Sequence, residues 1–372
     1  MQMIGGRRVI KALTFIIVCF ITSSGQIIKA GQSEEFHDES HSREEFRAGE
    51  FIIEHVGDDY SWHILSYGPE DHPRHISIPL PVILYSLERN KLFVFFSGKF
   101  HHGHEAYKDF FIAHEAPYKG DIVELNREGE MVRPIDLSIS KNVFAIFVSI
   151  GFMLWIFLSI ARSYKKNPYT APKGLQSGLE PVILFVRDEI ARPSIGQKNY
   201  NKFMPFLLTL FFFIWINNLM GLIPIFPGGA NVTGNISVTL VLALFTFFMT
   251  TFSGNKHYWK DIFNAPGVPW WLKVPIPLMP IIELMGMFTK PFVLMVRLFA
   301  NITAGHIIVL GFFSLIFIFG QMQATLGYGV SVLSILFTVF MTMLELLVAL
   351  IQAYVFTLLS AIYFGMATAE HH

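Results

Sequence analysis

The 372-residue sequence predicts an all-α polytopic membrane protein of about five membrane helices, the last two long and steeply tilted as a hairpin, behind a small mixed extramembrane region. Three observations carry this. The chain is 52% hydrophobic and contains 38 phenylalanines. Its apolar residues collect into runs at Val143 to Ile160, Phe203 to Ile225, Val238 to Phe252, Ile276 to Phe319 and Val330 to Phe364. All but the short third run approach or exceed the roughly 20 helical residues that cross a bilayer core of about 30 Å. Basic residues, finally, gather only at alternate connections between the runs. The formal net charge is zero, so bulk electrostatics gives no reason to expect nucleic acid.

The N-terminus differs from the rest. Arg7, Arg8 and Lys11 precede the apolar stretch Ala12 to Ile21, and small or polar residues lead on to Ala30. That is the pattern of a cleaved secretory signal over residues 1–30; the competing reading is an uncleaved anchor helix. The single cysteine, Cys19, lies inside this stretch, so the mature chain is expected to have neither disulfides nor cysteine metal sites.

Residues 31–140 read as an exported N-terminal region, polar and mixed in pattern. Its acidic start, SEEFHDESHSREEF, predicts partial disorder, and FIIEHV, HISIPLPVILY and KLFVFFSG read as short strands between turn residues. Ten of the 14 histidines fall here, including His101, His102 and His104. No ligand frame repeats, so they read as solvated surface histidines, and nothing calls for a cofactor or a metal.

Residues 141–372 form the membrane domain, and its charges fix an orientation. Arg162, Lys165, Lys166, Lys173, Arg187, Arg192, Lys198 and Lys202 follow the first span, and Lys256, Lys260 and Lys273 follow the third. The connections near Pro224 to Asn235 and Gly320 to Gly329 carry no basic residue. Positive charge stays inside, which places the N-terminal region outside and the C-terminus in the cytoplasm. Pro280 to Phe319 alone is about 40 residues, or roughly 60 Å of helix, twice the hydrocarbon thickness. Two such helices must tilt, bend or lie along the membrane, and together they present a face suited to a protein partner.

Few polar residues lie within this pair: Glu283, Lys290, Arg297, His306 and Glu345. A guanidinium cannot lose its proton, and at membrane depth it costs several kcal/mol, so Arg297 is a functional candidate. Glu283 lies four turns before it on roughly the same face, whereas His306 is half a turn out of phase. Glu345 and Gln352, seven apart, share a face. Structural alternatives remain: Arg297 as a pin on backbone carbonyls, His306 with Glu345 as a tie between helices, and Asn218, Asn301 and Gln352 as helix glue. The Asn-x-Ser/Thr matches at Asn231, Asn235 and Asn301 carry no functional weight.

NNLMGLIP (Asn217 to Pro224), the Glu283 to Pro291 run, RLFANITAGH (Arg297 to His306), ELLVALIQAYVFTLLSAIY (Glu345 to Tyr363) and the closing MATAEHH together resemble subunit a of the F-type ATP synthase. The resemblance covers about Lys141 to His372. It implies a stator that holds a rotating ring of carboxylate-bearing hairpins, subunit c, between two proton half-channels, with peripheral stalk subunit b and the F1 ATPase head as further partners and the bacterial inner membrane as location. It also implies that Arg297 is the essential arginine, Asn301 the asparagine beside it, and Gln352 the helix-pairing glutamine. Asn218 becomes the asparagine of the second span and Glu283 the glutamate of the cytoplasmic outlet. Two departures stand out. The family's usual Glu and His appear in exchanged order as His306 and Glu345, as in mitochondrial members. Gly221 replaces an aspartate that many bacterial members carry, leaving Asn218, Asn231 or Asn235 to substitute for it.

On this reading a proton from outside passes Asn218, His306 and Glu345 to a rotor carboxylate and leaves near Glu283, while Arg297 blocks direct passage. The N-terminal region is expected to be accessory, since every proton-handling residue lies beyond Lys141. A different class, an ion-coupled secondary transporter, predicts two repeated halves, and the sequence has no internal repeat. A passive scaffold leaves the intramembrane charges without a purpose.

Overall fold

The computed structural model describes residues 49, 52, 56–67, 74–103, 105–113, 117–118, 120–126, 129–166, 171–223, 226, 228–263 and 278–369. The signal segment and the acidic start lie outside these residues, as do His104, Pro224 and Lys273.

The N-terminal region is built from short antiparallel strands. β1 (Ser61–Tyr67) pairs with β2 (Arg74–Pro79). β3 (Pro81–Ser86), β4 (Lys91–Phe96) and β8 (Ile135–Asp136) form a sheet in the order β4-β3-β8, and β5 (Phe110–Ile112), β6 (Ile122–Leu125) and β7 (Met131–Val132) form another in the order β5-β6-β7. Val82 and Leu84, alternating along β3, pack with Phe95, Phe100, Phe110 and Ile122 into a small core. HISIPLPVILY and KLFVFFSG are therefore largely extended, as expected. FIIEHV is not: its described residues Ile52 and Val56 are helical, and their spacing of four suits a helix better than a pleat.

Five helices are long and apolar enough to cross a membrane. They are α1 (Lys141–Lys166), α4 (Tyr200–Leu222), α5 (Ile236–Ser253), α7 (Leu278–Met322) and α8 (Ala324–Thr368). The third has only 18 residues, and the last two have 45 each, about 68 Å of helix. α7 and α8 run antiparallel, stapled by the stacked rings of Phe312 and Phe337 at 5.3 Å and by the Ser334 hydroxyl donating to the Phe312 carbonyl. Buried Ala349, Ala353, Ala361 and Ala367 let α8 approach its neighbours closely, and Phe364 stacks on Phe203 of α4 at 4.8 Å.

Helix ends are closed locally. The Asn235 side chain accepts from the Ser237 amide at the start of α5. After α5, Asn255 donates its backbone amide to Ala367 and its side-chain amide to Thr368, satisfying carbonyls at the end of α8.

Between the first two spans the sequence folds into more than a charged loop. α2 (Leu175–Phe185) runs into a π-helical turn (Val186–Ala191) and α3 (Arg192–Ile195). Val186, Ile190 and Ile195 are buried, and the backbone of Ser194 lies where a Cβ on Gly365 of α8 would stand. This segment seats directly against the C-terminal half of α8.

Candidate functional site

Arg297 lies on the exposed side of α7, with Asn301 one turn on and also exposed. Among the described residues, no carbonyl or carboxylate is hydrogen-bonded to its guanidinium, so the pin on backbone carbonyls is not formed. Exposed Val293, Val296, Ile307 and Ile308 surround it along the helix. A permanent cation on an apolar surface is costly in lipid and marks Arg297 as a functional candidate.

His306 faces the other way. Nine residues beyond Arg297 it is half a turn round α7, and its Nδ1 meets Oε1 of Glu345 on α8. The Glu345 side chain is 6% exposed and that of His306 16%. Two glycines make room for the pair. A Cβ on Gly305 would come within 3.0 Å of Glu345 Oε1, and one on Gly221 of α4 would stand 3.5 Å from His306 Nε2. Gly221 thus borders the Nε2 of the imidazole.

Described residues between α4 and α5 pack beside this pair, the Ala230 carbonyl lying 3.4 Å from where a Cβ on Gly221 would stand. Gly228 is required there: a Cβ would collide with the Ile223 and Met220 carbonyls. Ala230, Asn231, Val232 and Thr233 are buried although they lie in a loop. The Thr233 hydroxyl donates to Asn218 Oδ1 at 2.5 Å, and Asn218 Nδ2 donates to the Ala349 carbonyl of α8 at 3.1 Å. Thr303 of α7 reaches back to the Gly234 carbonyl at 3.3 Å. The Nδ2 of Asn231 is buried without a hydrogen-bond partner among the described residues. A buried amide is costly unless satisfied, so this donor is free for a further hydrogen bond.

At the other end of α7, Glu283, Lys290 and Arg297 recur at intervals of seven and so share a stripe. The Lys290 ammonium lies 5.5 Å from the Tyr363 ring centroid. Tyr258, on the short helix α6 (Lys256–Phe263), helps line a small cavity with Lys290, Tyr363 and the threonines 246, 250 and 251. Burial, and then the charge of Glu283, raises the Tyr258 phenol above its ordinary value. Gln352 is buried on α8, on the same side as Glu345.

The sequence model of the ATP synthase A chain matches residues 143–365, which includes each of these residues. The chain belongs to this family. It is 45% identical over 246 residues to ATP synthase subunit a 2 of Chlorobaculum tepidum, a match covering 64% of this chain and 66% of that one. It is 41% identical over 242 residues to ATP synthase subunit a of Chloroherpeton thalassium, covering 63% and 68%. To the subunit a of Chlorobium phaeobacteroides it is 39% identical over 285 residues, covering 73% and 78%. The match thus spans just under two thirds of the first relative's length. A separate model, described as a domain of unknown function (DUF8433), matches residues 51–138.

In this chain the residues singled out by sequence form two groups, apart from Glu283 and Lys290 further along the stripe of Arg297. His306 and Glu345 meet behind α7, with Asn218 bonded one turn along α8 at the Ala349 carbonyl and Gln352 buried along the same side of α8; Arg297 and Asn301 stand on the opposite, exposed side. Sequence reasoning missed Thr233, Thr303 and Gly305, whose roles appear only once loop and helices are packed. Of the histidine cluster, His104 lies outside the described residues.

Proposed function

We propose that this chain is the membrane stator of an F-type ATP synthase, with an exported region over residues 31–140 and the proton-handling domain over residues 141–372. Its N-terminal region faces outside and its C-terminus the cytoplasm of a bacterial inner membrane. The observation that carries this reading is Arg297, exposed beside Asn301 on a largely apolar helix face while an acid and an imidazole pair behind it. A ring of hairpin subunits, each with one membrane carboxylate, supplies the partner that face requires. At about 4 Å and an effective dielectric constant near 20, the attraction is about 4 kcal/mol, which lowers a carboxylate pKa by about three units.

A proton arriving from outside passes along Asn231, Thr233 and Asn218 to His306 and Glu345, and neutralises a rotor carboxylate. Once neutral, that carboxylate turns into lipid without the cost of a buried charge. After rotation it returns to the side of Glu283 and Lys290, where Arg297 favours its ionisation and the proton leaves. Because the guanidinium does not titrate, it cannot relay protons between the two routes. Peripheral stalk subunit b and the F1 head couple the rotation to ATP synthesis.

Isolation of the intact assembly in mild detergent tests this. Co-isolation with a carboxylate-bearing hairpin ring and a soluble ATPase is expected; a chain isolated alone from membranes that contain a complete ATP synthase overturns it.

A further inference from the structure

Trp62 belongs to strand β1 of the exported region, yet it is 4% exposed and packs in the same apolar cluster as Ala145 and Ile146 of α1 and Phe211 and Ile214 of α4. Its ring sits edge-on to two others. One is Phe144 at the start of α1, with centroids 5.8 Å apart; the other is Phe226 in the loop after α4, at 5.3 Å. Phe144 and Phe226 in turn stack at 6.1 Å. The three rings join the exported region, the first span and the loop whose Asn231 and Thr233 lead to Asn218.

The residues just before Trp62 fasten it to α1. The Asp58 carboxylate accepts from the Asn142 amide at 3.0 Å and the Ser140 hydroxyl at 2.7 Å, and the Asp59 carbonyl accepts from the Lys141 amide at 2.8 Å. This satisfies orphan donors at the start of the helix with groups from the strand side. Tyr60 adds a hydrogen bond to Asp136 of β8 at 2.5 Å. The segment is fixed at both ends, and Phe226 rests on it.

We infer that residues 58–62 form a clip through which the exported region positions the loop lining the outer proton route, with Trp62 as the positioning residue. The loop's described residues form neither helix nor strand. Its register relative to Asn218 is held at both ends: towards α5 by the Thr233 to Asn218 and Thr303 to Gly234 bonds, and towards α4 by the Gly229 amide on the Met220 carbonyl and by Phe226 against Trp62. Loss of the Phe226 to Trp62 contact lets the loop drift and leaves Asn231 and Thr233 out of line, so proton capture from outside becomes the slow step. The exported region is then part of the transport machinery and not a dispensable attachment. This inference rests on the function proposed above.

The test uses the whole complex in native membranes, normalised to complex content, with ATP synthesis followed as a function of external pH. Trp62→Ala is expected to lower synthesis several-fold at alkaline external pH, where protons are scarce, and much less at acidic external pH; Trp62→Phe restores most of the rate. Phe226→Ala is expected to show the same pH signature, and the double variant to be no worse than either single, since both remove one contact. Should Trp62→Ala prevent assembly, Trp62→Leu and Phe226→Leu carry the same comparison. A per-complex rate independent of external pH, or additive losses in the double variant, overturns the clip. Arg297→Ala is measured beside them: if it still transports, the function proposed above fails, whereas blocked transport there with a normal Trp62→Ala defeats the clip alone.

Discussion

Glu345 and His306 meet across the α7–α8 hairpin, 39 residues apart in sequence, with the carboxylate Oε1 against the imidazole Nδ1. One acid and one imidazole share a single buried position. If they act as one relay, His306→Glu and Glu345→His each pair like groups and shift their proton affinities, impairing transport. The double exchange restores one acid and one imidazole. It is expected to recover more ATP-driven quenching of a pH-sensitive dye in inverted vesicles, at equal complex content, than either single variant. A double variant no better than the worse single contradicts the relay.

Gly305 sets the space that Glu345 occupies. An added methyl would press on Oε1 at 3.0 Å and on the carboxyl carbon at 3.2 Å, so Gly305→Ala requires a shift of a few tenths of an ångström by a side chain already engaged with His306. Partial transport is expected for Gly305→Ala and none for Gly305→Val, with complex content retained in the first. Equal rates for wild type and Gly305→Val contradict the packing.

Thr233 and Asn218 are joined by a hydrogen bond in a buried setting. Thr233→Val keeps the shape but leaves Asn218 Oδ1 without its donor, a cost of about 1–3 kcal/mol. Slower proton uptake per complex is expected for Thr233→Val, and near-normal uptake for Thr233→Ser. Dye-quenching rates in reconstituted vesicles separate the two outcomes.

Gly365 tests assembly apart from transport. Its missing Cβ makes room for the Ser194 backbone, so Gly365→Ala forces α3 off α8 at a cost of about 1–3 kcal/mol. Reduced complex content in membranes is expected, with unchanged transport per assembled complex. Quantifying both in one preparation distinguishes this from a change in the proton path.

Much of this was legible because membrane helices are written in lengths. The apolar runs placed α1, α4, α5, α7 and α8 to within a few residues, and helical phase alone set His306 opposite Arg297. The segment containing α2 read as a loop because its lysines and arginines dominated. Val182, Val186 and Ile190, spaced by four, were the signal of a buried helical face. Trp62, Thr233 and Thr303 had no such signal. They act through contacts between a strand, a loop and distant helices, and no local periodicity records a contact of that kind.

Arg297 carries the central claim, because the proposed separation of two proton routes depends on a charge that never leaves. Lysine is shorter in reach, more strongly hydrated and able to deprotonate when buried. The decisive measurement is proton-driven ATP synthesis in membranes carrying Arg297→Lys at wild-type complex content. Loss of synthesis is predicted, and a rate near that of the wild type contradicts the role assigned to Arg297.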